Sequence, residues 1–176
     1  MQEFYYQQPR MTLQFPKITW AVQRLILINA ALFALQLLVR PLEIWLALRW
    51  NIADISMAHW FGFQPGYFIV GYFWKPFTYQ FLHGGLMHLF MNMLWLYVFG
   101  PDVERTLGSR QFIRFYVACG ALGVLATIAP YLLSGVYATV IGASGAAMGV
   151  LVAFAMIDPD RQFFLFPLPM PITASW

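Results

Sequence analysis

Apolar residues run along this chain in long unbroken stretches separated by short charged clusters. No Asp, Glu, Lys or Arg occurs between Arg24 and Arg40, between Lys75 and Asp102, or between Arg114 and Asp158. Crossing a bilayer as a helix takes about 20 apolar residues, because every backbone polar group must be satisfied within the segment. Pro76 to Pro101 fits one such span. Phe115 to Ile157 is too long for one, and Pro130 and Gly135 in "APYLLSGVY" divide it in two. The first stretch becomes long enough once "ITWAV" is added ahead of Arg24, whose side chain can snorkel to the headgroups. The pattern predicts an all-α polytopic membrane bundle with four full spans, at about 18–39, 78–99, 110–133 and 138–157.

The segments between the spans differ in character. Residues 1–17, "MQEFYYQQPRMTLQFPK", are polar and aromatic, and no small-residue cleavage site follows the first apolar run. That run is therefore expected to be a retained signal-anchor helix. Residues 40–74 mix apolar and charged positions and then crowd aromatics into "HWFGFQPGYFIVGYFW". Tryptophan and tyrosine favour the membrane–water boundary, so this loop is expected on the outer leaflet.

Composition agrees: 61% of the 176 residues are hydrophobic and 10% charged, against roughly 25% charged in soluble domains. The net charge of +3 does not point to nucleic acid, since the basic residues sit at span ends. They report orientation instead. Arg10, Lys17, Arg24, Arg105, Arg110, Arg114 and Arg161 fall on one side, and Arg40, Arg49 and Lys75 on the other. The positive-inside rule puts the N-terminus in the cytoplasm and suits a bacterial inner membrane. A single cysteine, Cys119, excludes an internal disulfide and a cysteine-based zinc site. No cofactor and no metal is expected.

Polar groups inside the apolar runs are few. "FLHGGLMHLFMNMLW" carries His83, His88 and Asn92. His88 and Asn92, four apart, share one helix face; His83, five from His88, is expected to point roughly 140° away at 3.6 residues per turn. A structural hydrogen bond is the expected role of His83. Intramembrane polar groups usually face a bundle interior or a wet cavity. Ser144 stands among small residues in "VIGASGAAMGVLVAFAMI". Taken alone, helix packing is the favoured reading of a small residue there. Counting from the outer face puts Ser144 about six residues deep, ~9 Å, and His88 about ten residues deep, ~15 Å. A serine level with imidazole and amide donors is a candidate acyl-transfer site. A nucleophile elbow would need glycine where Ala146 stands, a zincin needs a different histidine spacing, and no carboxylate lies within a span. The lack of acidic groups in the spans also leaves a transporter little with which to couple ions.

Four motifs in order, "WKPFTYQFLHGGLMHLFMN", "GPDVERTLGS", "GASG" and "DPDRQFFLFPLPMPI", from about Trp74 to Pro171, resemble those of the rhomboid family of intramembrane serine proteases. The resemblance implies a six-helix fold, entered for a fifth time after Asp158. It implies Ser144 as nucleophile in the Gly142–Gly145 motif, with His88, Asn92 and the Ser144 N–H stabilising the oxyanion. Glu104 and Gly108 would hold the cytoplasmic turn, and Gly145 and Gly149 would receive a neighbouring helix. Substrates would be transmembrane helices of other membrane proteins, cut near the outer face. Lys75 stands where the family's loop usually has arginine after Trp74, and Met148 where many members have an aromatic. The family's base is a histidine of the sixth helix, and no histidine follows Ser144 here. The chain is therefore expected to be part of a longer protease and inactive alone. The alternative is a rhomboid-like pseudoprotease that binds transmembrane clients without cutting them.

Overall fold

The computed structural model describes residues 16–51, 55–135 and 138–159, together with the backbone of two short strands. The helices are α1 (Trp20–Trp50), α2 (Met57–Phe61), α3 (Pro65–Ile69), α4 (Lys75–Thr78), α5 (Leu86–Leu107), α6 (Ser109–Leu125), α7 (Ile128–Ser134) and α8 (Ser144–Ile157). Strands β1 (Gln162–Phe164) and β2 (Pro171–Thr173) pair antiparallel. That pairing lies where a fifth helix was expected to open; Arg161 and residues 165–170 fall outside the described residues, as does the N-terminal segment through residue 15.

Helices α1, α5, α6 and α8 build the core. On α5 the buried positions Leu89, Asn92, Met93, Leu96, Phe99, Gly100, Val103 and Glu104 recur every three to four residues, which makes one continuous stripe. Ala21, Val22, Leu25, Asn29 and Phe33 of α1 form a matching stripe. On α8 the stripe is Ala146, Ala147, Val150, Phe154 and Ala155. The outer faces stay apolar, with Leu38, Leu48, Leu86, Met87, Leu133 and Met156 all strongly exposed. In water such surface would be an interaction patch; around a bundle it is the surface lipid covers.

The span count differs from the sequence expectation. Two stretches, α1 and Ser109–Ser134, are long and apolar enough to cross a membrane. A third results if Lys75–Phe81 and Leu86–Leu107, bent by 100° at their junction, form one broken span. Among the described residues two helices, or three with the broken pair, reach that length, because glycine interrupts two of the apolar runs. Gly84 and Gly85 stop the helix of the second run, so α5 opens only at Leu86 and extends to Leu107. Gly142 has φ +119°, a conformation side-chain-bearing residues avoid, so α8 starts at Ser144 and has 14 residues. Conversely α1 continues past residue 39, through Pro41, until Asn51 ends it in the left-handed region. The expected loop at 40–74 thus begins as helix, because exposed Arg40 and Arg49 fit a helix that has left the apolar layer.

The α5–α6 turn is fastened to α1 by one carboxylate. Glu104, buried, accepts hydrogen bonds from the Thr19 hydroxyl, from the Ala21 and Val22 amides at 2.9 Å each, and from the Ser109 hydroxyl at 2.6 Å. The two amides are orphan donors of the first turn of α1, so Glu104 caps that helix from another element. Gly108, at φ +79°, turns the chain from α5 into α6. A side chain on Gly100 would stand 2.7 Å from Val22 Cγ2, which shows how closely α1 and α5 approach.

Candidate functional site

Ser144 is the first residue of α8, and not a residue within a helical span as counting along the run suggested. The chain reaches it extended: Phe63 and Val140 exchange two backbone hydrogen bonds, of 2.9 and 2.8 Å, and the Gly142 amide donates to the Tyr79 carbonyl at 3.0 Å. Opening a helix matters chemically. The first N–H groups of a helix have no intrahelical acceptor and carry the positive end of its dipole. The Ser144 side chain is exposed, while Gly142 and Ala143 beneath it are buried.

Gly142 brings this loop onto α5. A Cβ at Gly142 would lie 2.6 Å from both Cε1 and Nε2 of His88 and 3.7 Å from Nδ2 of Asn92. Only glycine allows that approach. The Gly84 amide donates to His88 Nδ1 at 3.4 Å. With Nδ1 accepting, the neutral ring is assigned its proton on Nε2, the nitrogen at Gly142. Asn92 lies on the buried stripe, and its Nδ2 has no hydrogen-bond partner among the described residues. Two N–H donors of α5 therefore stand beside the backbone that leads into Ser144. His83 does not point away from His88. Because it precedes the helix, its buried ring meets His88 edge-on, with centroids 5.2 Å apart, and its backbone pairs with the Gln36 side chain.

On the other side of α8, a Cβ on Gly149 would stand 2.5 Å from Cys119 Sγ, and one on Gly145 3.1 Å from the Tyr79 hydroxyl. Gly123 and Gly120 of α6 lie opposite Gly145, so the two backbones meet with no side chain between them. Tyr79 joins three elements: its hydroxyl donates to the Gly120 carbonyl at 2.7 Å, while its own carbonyl holds Gly142. Trp74, partly exposed, donates its indole N–H to the Trp60 carbonyl at 3.2 Å. Lys75 is fully buried; its ammonium donates to the His59 carbonyl and to Gln64 Oε1 and sits 4.6 Å from the Tyr67 ring centroid. Among the described residues no three His, Cys, Asp or Glu side chains are grouped to hold a metal.

The Rhomboid domain model matches residues 70–176. This chain belongs to the rhomboid family. It is 35% identical over 80 residues to the putative rhomboid protease YdcA of Bacillus subtilis (strain 168), covering 46% of this chain and 39% of that protein. It is 36% identical over 93 residues to rhomboid protein 1, mitochondrial, of Saccharomyces cerevisiae, covering 52% and 27%. It is 32% identical over 90 residues to the mitochondrial presenilin-associated rhomboid-like protein of Bos taurus, covering 51% and 24%. The aligned part of the chain thus spans well under two thirds of each relative. Rhomboid membership, with its apolar helices, makes this an integral membrane protein of a family that includes serine proteases.

Some residues around this rhomboid site carry no local signal in the sequence. Tyr79, Gln64 and Gln36 sit in ordinary aromatic or apolar surroundings, and each acts through a partner 41 to 75 positions away. Tyr79 lies inside the motif "WKPFTYQFLHGGLMHLFMN", which marks its region but not its partners, and Gln36 and Gln64 lie outside the four motifs.

Proposed function

We propose that this chain supplies the nucleophile and the oxyanion site of an intramembrane serine endopeptidase. It would cut transmembrane helices of other membrane proteins near the outer end. Ser144 Oγ attacks the scissile carbonyl and passes its proton to a base. The oxyanion takes hydrogen bonds from Asn92 Nδ2, His88 Nε2 and the Ser144 backbone N–H. The tetrahedral species then expels the amine, which takes the proton from the base, and water releases the acyl group by the same route. The observation that carries this reading is the buried Asn92 Nδ2, unpartnered among the described residues, beside the Gly142 loop. A donor left without an acceptor in a buried setting is costly, and a transient oxyanion is the acceptor that would satisfy it.

His88 serves as a donor in this scheme, and the family resemblance assigns the base to a histidine of a later helix. Gly142, Gly145 and Gly149 shape the loop and the α6–α8 contact, Glu104 and Gly108 the opposite turn, and Trp74 and Lys75 the outer loop. On this reading the bundle crosses the membrane four times within these residues, the second crossing broken at Gly84 and Gly85 and the fourth completed by extended chain ahead of α8, and the family fold brings the total to six. Its N-terminus is cytoplasmic, and the membrane is a bacterial inner membrane. Two of the relatives are mitochondrial proteins, which makes an organelle membrane the competing placement. The second reading is a non-catalytic client binder, favoured by the fact that His59, His83 and His88 all precede Ser144.

The test is cleavage of a model transmembrane substrate, carrying small or helix-breaking residues near its outer end, by the protein as its gene encodes it. Ser144→Ala is expected to abolish turnover while leaving the melting temperature unchanged. Cleavage undiminished by that change overturns the protease; substrate capture without cleavage by the wild type establishes the binder.

A further inference from the structure

The buried ammonium of Lys75 is the centre of the outer loop. It has three N–H donors and no acceptor. It donates to the His59 carbonyl and, at 3.2 Å, to Gln64 Oε1, and the ring centroids of Tyr67 and Tyr72 lie 4.6 and 5.4 Å from it. Two acceptors and two ring faces hold a cation well. The charge also settles an orientation. Gln64 must turn its oxygen to the ammonium, and its Nε2 then donates to Thr139 Oγ1 at 2.7 Å. An amide with no cation beside it can present either end.

Thr139 begins the extended segment that ends at Ser144. Its neighbour Val140 is bridged to Phe63, the residue before Gln64, and Gly142 hangs from Tyr79. Gly62 seals the contact: a Cβ there would lie 2.8 Å from Thr139 Cγ2 and 3.1 Å from Ile141 Cγ2. Thr139 is exposed, so at that end the segment rests on the loop, whereas Gly142 at its other end is buried against His88 of α5.

We propose that Lys75 is a positioning residue for Ser144, acting through Gln64 and the Phe63–Val140 bridge to fix the segment 139–142. The loop at the membrane boundary is thereby the brace of the nucleophile. The catalytic part of this inference rests on the proposed role of Ser144; the mechanical part does not. Two measurements separate them, both on the protein as its gene encodes it. The first is hydrogen exchange in the peptide covering residues 138–146, with a peptide of α1 as the internal control. Lys75→Met and Thr139→Val are expected to speed exchange of the Val140 and Gly142 amides about tenfold with α1 unchanged. Thr139→Ser, which keeps the hydroxyl, is expected to match the wild type. The second is cleavage, where kcat falls about tenfold in Lys75→Met and Thr139→Val with KM held, and Thr139→Ser is again normal.

Exchange at 138–146 that stays at the wild-type rate in folded Lys75→Met overturns the proposal. So does Thr139→Ser behaving like Thr139→Val. Should Lys75→Met fail to fold, the two Thr139 variants decide alone. Failure of the protease reading shows separately, as cleavage that survives Ser144→Ala, and leaves the exchange comparison intact.

Discussion

At the Leu107 end of α5 the Glu104 carboxylate accepts four hydrogen bonds, two from backbone amides of α1 and two from hydroxyls. At the Leu86 end of the same helix the Asn92 amide is just as buried, yet its Nδ2 has no partner among the described residues. The two groups lie twelve residues apart on one stripe and differ in what their surroundings ask of them. Saturated hydrogen bonding ties three helices together and leaves nothing over for chemistry. An open donor contributes little to the fold and keeps its capacity for a group that arrives later. Stability and the proposed reactivity are thus assigned to opposite ends of a single helix.

Removing the saturated carboxylate should give the largest loss of stability. Glu104→Ala leaves two backbone N–H groups and two hydroxyls without their acceptor and is expected to cost about 3–5 kcal/mol. Thermal unfolding in detergent, followed by the loss of helical signal, measures it; Glu104→Gln should recover part of the loss. The open amide should behave in the opposite way. Asn92→Ala is expected to lower kcat about 10²–10³-fold, as loss of one oxyanion donor does, with the melting point unchanged or slightly raised. An Asn92→Ala protein that melts as early as Glu104→Ala would erase the contrast between the two ends. Gly149→Ala comes next. The added methyl meets Cys119 Sγ, and overpacking of this kind costs about 1–3 kcal/mol in melting experiments. Arg105→Ala marks the floor. Its 2.6 Å pair with Asp102 and its 2.7 Å bond to the Lys17 carbonyl are both exposed, so stability should change by about 0–1 kcal/mol, less in high salt.

The long elements were legible because charge-free runs and the three-to-four-residue stripe of α5 survive in any environment that buries one face. The turn at Glu104 and Gly108 was legible as a motif, although the partners of the carboxylate, Thr19, Ala21 and Val22, lie more than 80 residues away. The breaks were not. "LHGG" and "VIGASG" are uncharged and scarcely interrupt hydropathy, yet Gly85 is extended and Gly142 left-handed, which moves both helix starts inward. Counting depth along an assumed helix then misplaces Ser144 and turns His83 away from His88. The Phe63–Val140 bridge had no signal either, because a two-residue pairing across 77 positions has no period to read. Lys75 showed itself in the sequence as a change of residue at a motif position. That its ammonium is enclosed by carbonyls and rings emerges only from the folded loop.

The shortness of α8 has a further consequence. If α8 is the core of a fourth crossing, as proposed, its fourteen residues rise about 21 Å against a hydrocarbon layer of about 30 Å, which leaves roughly 9 Å to non-helical chain. Irregular backbone at membrane depth has to find acceptors and donors, and only part of the 138–143 stretch finds them in Phe63 and Tyr79. On that reading the remainder is left for solvent to satisfy. Hydration beside Ser144 would thus follow from where one glycine ends the helical geometry, and a sequence that let α8 begin two turns earlier should dry the surroundings of the serine without altering any polar side chain there.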